Sequence, residues 1–109
     1  MSVLQELVGL QLVRSECVED YRQLWFQNGE CLNVYNEHQI ADSSHNSKCD
    51  DDLIGATLTA VHEDGTLIRL TFSNALEVSI DMREDAYLGP EALELSRPGM
   101  PIVVWRVDD

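Results

Sequence analysis

The sequence predicts a mainly β protein: two similar three-stranded antiparallel units packed as a small sandwich or closed barrel, with a C-terminal closing strand. Three observations predict it. Residues 5–36 and 51–82 align at a constant offset of 46 positions without a gap. Six aligned pairs are identical: Leu7/Leu53, Gly9/Gly55, Leu12/Leu58, Leu24/Leu70, Phe26/Phe72 and Asn28/Asn74. Within each copy, apolar and polar residues alternate with a period of two, as on a strand buried on one face. Asn28-Gly29 and Asp64-Gly65 then supply hairpin turns between the alternating runs.

Met1–Val8 carries Ser2 with Gln5 three residues later, a spacing that predicts a helical turn before Gly9. The aligned Asp50–Asp52 instead suggests a loop running into a strand. Strands are expected at about 9–16, 21–27 and 30–36. Leu24 and Phe26 alternate with Tyr21, Gln23 and Trp25, and Leu32 and Val34 alternate with Cys31, Asn33 and Tyr35. In the second copy a strand at about 55–62 leads to Asp64-Gly65, then Ile68, Leu70 and Phe72 form one face, and Leu76, Val78, Ile80 and Met82 another. Residues 37–50 are rich in Ser, Asn, Asp and His and predict a mobile polar connector. In the C-terminal segment, 83–109, Pro90 suits the first position of a short helix. Arg97-Pro98-Gly99-Met100-Pro101 breaks regular structure, and Ile102–Val107 reads as the last strand. Seven strands result, in one domain. Neither three-stranded unit buries its apolar face alone, so the two must pack together.

Twenty Asp and Glu against seven Lys and Arg give a net charge of −13. Such a surface repels nucleic acid and anionic membranes and attracts a cationic protein. No apolar stretch is long enough to span a bilayer and no apolar leader opens the chain, so a cytoplasmic setting is expected. Three cysteines, an odd number, do not close a disulfide framework.

The candidate chemistry is sparse. His38, His45, Cys49 and Asp50–Asp52 share the connector, but their spacing fits no compact zinc motif and no EF-hand loop. Cys17 and Cys31 are expected to pack as small apolar residues rather than act as nucleophiles, because acidic surroundings raise a thiol pKa. Glu84-Asp85 and Glu91/Glu94 are ordinary in a chain with this many carboxylates. The glycines form no phosphate loop. The expectation is therefore a protein that is not an enzyme and has no metal or cofactor. Tyr21 and Trp25 share the face opposite Leu24 and Phe26. They either serve as interface aromatics or lie under the connector or C-terminal segment.

The hairpin repeats, the run Gly89-Pro90-Glu91-Ala92-Leu93 and the Ile-Val-Val-Trp strand at 102–105 give a layout that resembles immunity proteins of bacterial polymorphic toxins, of the contact-dependent growth inhibition kind. The resemblance implies a cytoplasmic protein that binds one cognate toxin domain, often a basic nuclease, and blocks its active site. It transfers no residue by family signature. The charge pattern points to three partner-binding patches: Glu16, Glu19, Asp20, Tyr21 and Trp25 around the first hairpin turn; Asp50, Asp51 and Asp52; and Glu84, Asp85 and Glu91. The chain would act as a monomer or homodimer. A small-ligand-binding β-barrel or a self-associating accessory domain is the alternative, and an interior cavity lined by polar groups would favour the barrel.

Overall fold

The computed structural model describes residues 3–44, 46–83, 85 and 91–106, with only the backbone for Arg106. Each repeat opens on a helical turn and continues as three antiparallel strands. The first has a 3-10 turn at Val3–Leu7 followed by β1 (Leu12–Val18), β2 (Tyr21–Phe26) and β3 (Cys31–Val34). The second has α1 (Asp50–Leu53) followed by β5 (Leu58–Glu63), β6 (Leu67–Phe72) and β7 (Glu77–Asp81). Between them lies β4 (His38–Ala41), and after them come β8 (Glu91–Ser96) and β9 (Val103–Arg106).

The repeat persists down to single hydrogen bonds. Gly9 N–H donates to the Leu58 carbonyl at 2.8 Å, and Gly55 N–H to the Leu12 carbonyl at 2.7 Å. Gln27 N–H reaches the Gln11 carbonyl and Ser73 N–H the Thr57 carbonyl, at 2.9 and 2.8 Å. A register irregularity separates Leu12 from Arg14 and, 46 positions on, Leu58 from Ala60. Gly9 and Gly55 take φ of 97° and 94°, which explains why glycine stands at both sites where the helical turn gives way to a strand. Gln11 and Thr57 face each other across an isolated antiparallel bridge, which marks the pseudo-twofold axis.

Each unit then gives a strand to the other. After β3 the chain crosses over, and β4 pairs with β7; after β7 it crosses back, and β8 pairs with β3. The result is a five-stranded sheet in the order β1-β2-β3-β8-β9 and a four-stranded sheet in the order β4-β7-β6-β5. Among the described residues these are two open antiparallel sheets rather than a closed barrel, so the structure selects the sandwich. The core between them is filled by repeat pairs: Leu7 and Leu53, Leu12 and Leu58, Leu24 and Leu70, Phe26 and Phe72, each at most 2% exposed. Burying such a side chain is worth about 1.5–3 kcal/mol.

Four expectations are corrected. The connector is not an irregular mobile loop throughout: Ile40 and Ala41 are buried as β4, a strand too short for alternation to reveal it. The segment after Pro90 is β8, not a helix; Ala92, Leu93 and Leu95 are buried where β3 and β9 pair with it, and that pairing outweighs the helix preference of Glu-Ala-Leu-Glu-Leu. Asp50–Asp52 is helical, as its first-repeat counterpart is. Among the described residues nine strands therefore replace seven. Ser2, His45, Glu84, Pro90 and Val107 lie outside the described residues.

Candidate partner-binding face

Alternation on β2 turns Leu24 and Phe26 into the core and leaves Tyr21, Gln23 and Trp25 half-buried on the outer face of the five-stranded sheet. Strand register extends this face sideways. Glu16, Gln23, Asn33, Glu94 and Val104 are successive cross-strand neighbours, a row spanning all five strands. Beside it the Tyr21 and Tyr35 rings pack with centroids 5.2 Å apart and planes tilted by 46°. Burial pushes the Tyr35 phenol pKa up, and the nearby charges of Glu94 and Glu91 push it further, with Tyr21 adding a smaller effect and an Asn33 hydrogen bond opposing. The tyrosine pair thus sits in a negative field.

On its other side the row is flanked by Arg14, Trp25, Cys31 and Ser96. Arg14 donates to Glu16 at 2.8 Å. Cys31 is buried and its pKa is pushed up to about 11, by burial first and then by Glu94, against a lowering by Arg14. Cys17 is exposed instead of packed, a correction that follows from its place beside the hairpin tip, where its thiol reaches the Glu19 carbonyl at 3.7 Å. Trp25 is half-buried, and its indole N–H has no hydrogen-bond partner among the described residues.

Glu19 and Asp20 form the exposed β1–β2 turn, and Glu19 holds a left-handed φ of 56°. The repeat aligns Glu19 with Gly65. A glutamate held at positive φ is uncommon and costs backbone strain. The strain is particular to this turn, because Gly65 does not take a left-handed φ and its turn is longer.

The three expected patches are redistributed. Glu16, Glu19, Asp20, Tyr21 and Glu91 fall on or beside the tyrosine face. Asp50 turns inward and accepts hydrogen bonds from the Ser15 hydroxyl and the Arg22 guanidinium. Arg22 Nε–H also donates to His38 Nε2 at 3.0 Å, while His38 Nδ1 lies 2.7 Å from the Asn36 carbonyl. That geometry holds His38 as the neutral Nδ1–H tautomer, and its pKa is lowered, chiefly by burial. Asp52 accepts the Cys49 N–H at 3.0 Å at the start of α1, and Asp51 is exposed. Asp85 is exposed near Arg83, and Glu84 is outside the described residues.

The charge balance of the surface is one-sided. Each Lys and Arg side chain that the structure describes pairs with a carboxylate: Arg14 with Glu16, Arg22 with Asp50, Lys48 with Asp42, Arg69 with Glu77, Arg83 with Asp81, and Arg97 with Glu6. Among the described residues Glu19, Asp20, Glu37, Asp51 and Glu94 have no such partner, so the excess negative charge stands uncompensated there. A surface groove of about 510 Å³ opens beside His38, Leu67, Ser79 and Asp81. It is an open surface feature, whereas the space between the sheets is filled by apolar side chains.

Tyr35, like Tyr21 and Trp25, has no aromatic counterpart in the second repeat and is expected on that ground beside the acidic turn, whereas Asn33 and Glu94 were not among the expected contacts. The Tyr35 position was open to sequence reasoning, because an Asn28-Gly29 hairpin pairing Arg22 with Val34 sets Tyr35 beside Tyr21. Glu94 was not, because its place depends on β8. No family model matches the chain, and comparison with curated proteins and with solved structures finds no match.

Proposed function

We propose that this protein is an immunity-type inhibitor, acting in the cytoplasm, that binds a cognate basic toxin domain and occludes its active site with the outer face of the five-stranded sheet. The observation that carries the reading is the combination of a tyrosine pair set among carboxylates with the internal pairing of every described cation. An arginine or lysine from a partner finds an aromatic face for a cation–π contact, worth about 0.5–2 kcal/mol, and carboxylates to receive its hydrogen bonds. Tyrosines supply rigid contact area at interface centres. In a nuclease, the cations that hold substrate phosphates would be the ones engaged, with Glu19, Asp20, Glu91 and Glu94 taking the place of phosphates. The filled core argues against the small-ligand barrel.

The test is stopped-flow association with the C-terminal domain of the secreted protein encoded immediately upstream. The expected result is nanomolar affinity with an on-rate that falls steeply as salt rises. Tyr35→Ala and Glu94→Gln should each weaken binding, the first through a faster off-rate. A salt-insensitive on-rate, or full affinity in both variants, would sink the proposal. So would an upstream gene encoding an unrelated metabolic enzyme.

A further inference from the structure

The pseudo-twofold relates the two ends of the sandwich, yet the two ends are chemically opposite. At one end stand Ser15, Arg22, His38 and Asp50, joined by hydrogen bonds. The offset of 46 matches Ser15 with Val61, Arg22 with Ile68 and Asp50 with Leu4. Strand exchange matches His38 with Leu93, because His38 pairs with Ile80 and Leu93 with Val34, and Ile80 and Val34 are themselves repeat equivalents. Leu4, Ile68 and Leu93 are at most 1% exposed in the core cluster, and Val61 packs against it. The fold is therefore able to fill these positions with apolar side chains, and does so at its other end. A poorly solvated ion pair is commonly no better for stability than well-packed apolar residues of similar volume. Stability alone does not account for the polar end.

The origin of the four residues does. Ser15, Arg22 and His38 belong to the first unit, and Asp50 alone belongs to the second, because each unit's helical turn lies against the other unit's first strand. Two nearly equivalent units in one chain have an alternative: in a dimer, first units could pair with each other, and second units likewise. In such a like-with-like arrangement Leu4 would stand where Asp50 now meets Arg22, and Asp50 would stand against Val61 and Ile68. Each dimer would hold two poorly solvated arginines without a carboxylate and two carboxylates without an arginine.

We infer that the Arg22–Asp50 pair is a recognition device that makes unlike units pair and rejects the association of like units with a second copy of this chain. A lone polar pair that sets register or partner choice is an attested use of poorly solvated polar groups. The device is independent of the toxin-binding reading.

The axis supplies the test. Gln11 now faces Thr57, but in like-with-like pairing it would face Gln11 of the other copy. The full chain carrying Gln11→Cys with Cys17→Ser and Cys49→Ser is unfolded in urea, refolded at high protein concentration and only then treated with a mild oxidant. With Arg22 and Asp50 present, disulfide-linked dimer through residue 11 should be scarce. Adding Arg22→Ile and Asp50→Leu, the apolar choice of the other end, should raise it at least about tenfold, ~1.4 kcal/mol of lost discrimination. Equal cross-linking in the two proteins overturns the inference. So does abundant cross-linking with the pair intact. Failure of the apolar variant to refold also overturns it, since the pair would then be required for stability itself.

Discussion

Glu19 sits at the tip of the β1–β2 hairpin with a left-handed φ of 56°. A non-glycine residue in the left-handed region costs about 1–2 kcal/mol. Glycine returns roughly 0.5–1 kcal/mol of that through its greater unfolded-state entropy. Glu19→Gly should therefore stabilise the fold by about 0.5–1 kcal/mol, a rise of ~2–6 °C in Tm for a domain of this size. The same change removes an exposed carboxylate beside the tyrosine face and should slow association with a cationic toxin domain. Stability and binding thus move in opposite directions, as expected where backbone strain is retained at a functional site. Ala75→Gly is the control: Ala75 has φ of 69° at the β6–β7 turn, its counterpart Gly29 has φ of 90°, and its hairpin belongs to the other sheet. It should bring a similar gain in Tm with no change in association rate. Glu19→Gln separates charge from backbone and should affect the rate alone. Thermal unfolding and stopped-flow association read both quantities. No rise in Tm for either glycine variant would refute the strain argument, and an unchanged on-rate for Glu19→Gly would remove the hairpin tip from the interface.

Two further outcomes follow from titrating groups. Burial lowers the His38 pKa below its unfolded value of about 6.5, so the unfolded state binds more protons there. The contribution is fully present above pH ~6.5 and is lost as pH falls through that range; His38→Leu should flatten this part of a stability–pH curve from urea titrations, and an identical slope in the variant would count against it. Cys17 and Cys49 are exposed, whereas Cys31 is buried with its pKa pushed up to about 11. Iodoacetamide at mildly alkaline pH should modify two thiols in the folded protein and the third only after unfolding; rapid triple labelling under native conditions would contradict the burial of Cys31.

Much of the architecture was legible because it is local and repeated. The period-two runs around Leu24-Trp25-Phe26 and Leu70-Thr71-Phe72 set strand and face together, since a shift by one residue would expose the core. Asn28-Gly29 sets the register that brings Tyr21 to Tyr35. The acidic hairpin tip was also legible, because subtracting one repeat from the other leaves Glu19 in place of Gly65. The pairing of Asp50 was not legible because its partners, Ser15 and Arg22, are 35 and 28 positions away. Glu94 was missed because Glu91–Ser96 has the composition of a helix and becomes a strand only where β3 and β9 offer hydrogen bonds.

By itself the sequence determined the two β units, their apolar faces, their turns and a surface dominated by carboxylates. Those properties depend on neighbours within a few residues and on total charge. Only the tertiary structure decided that each unit gives a strand to the other, that Asp50 pairs with Arg22, and that Tyr21, Tyr35, Glu91 and Glu94 share one face. These depend on which distant strands lie side by side, and a strand's composition says what it can bury but not against which partner.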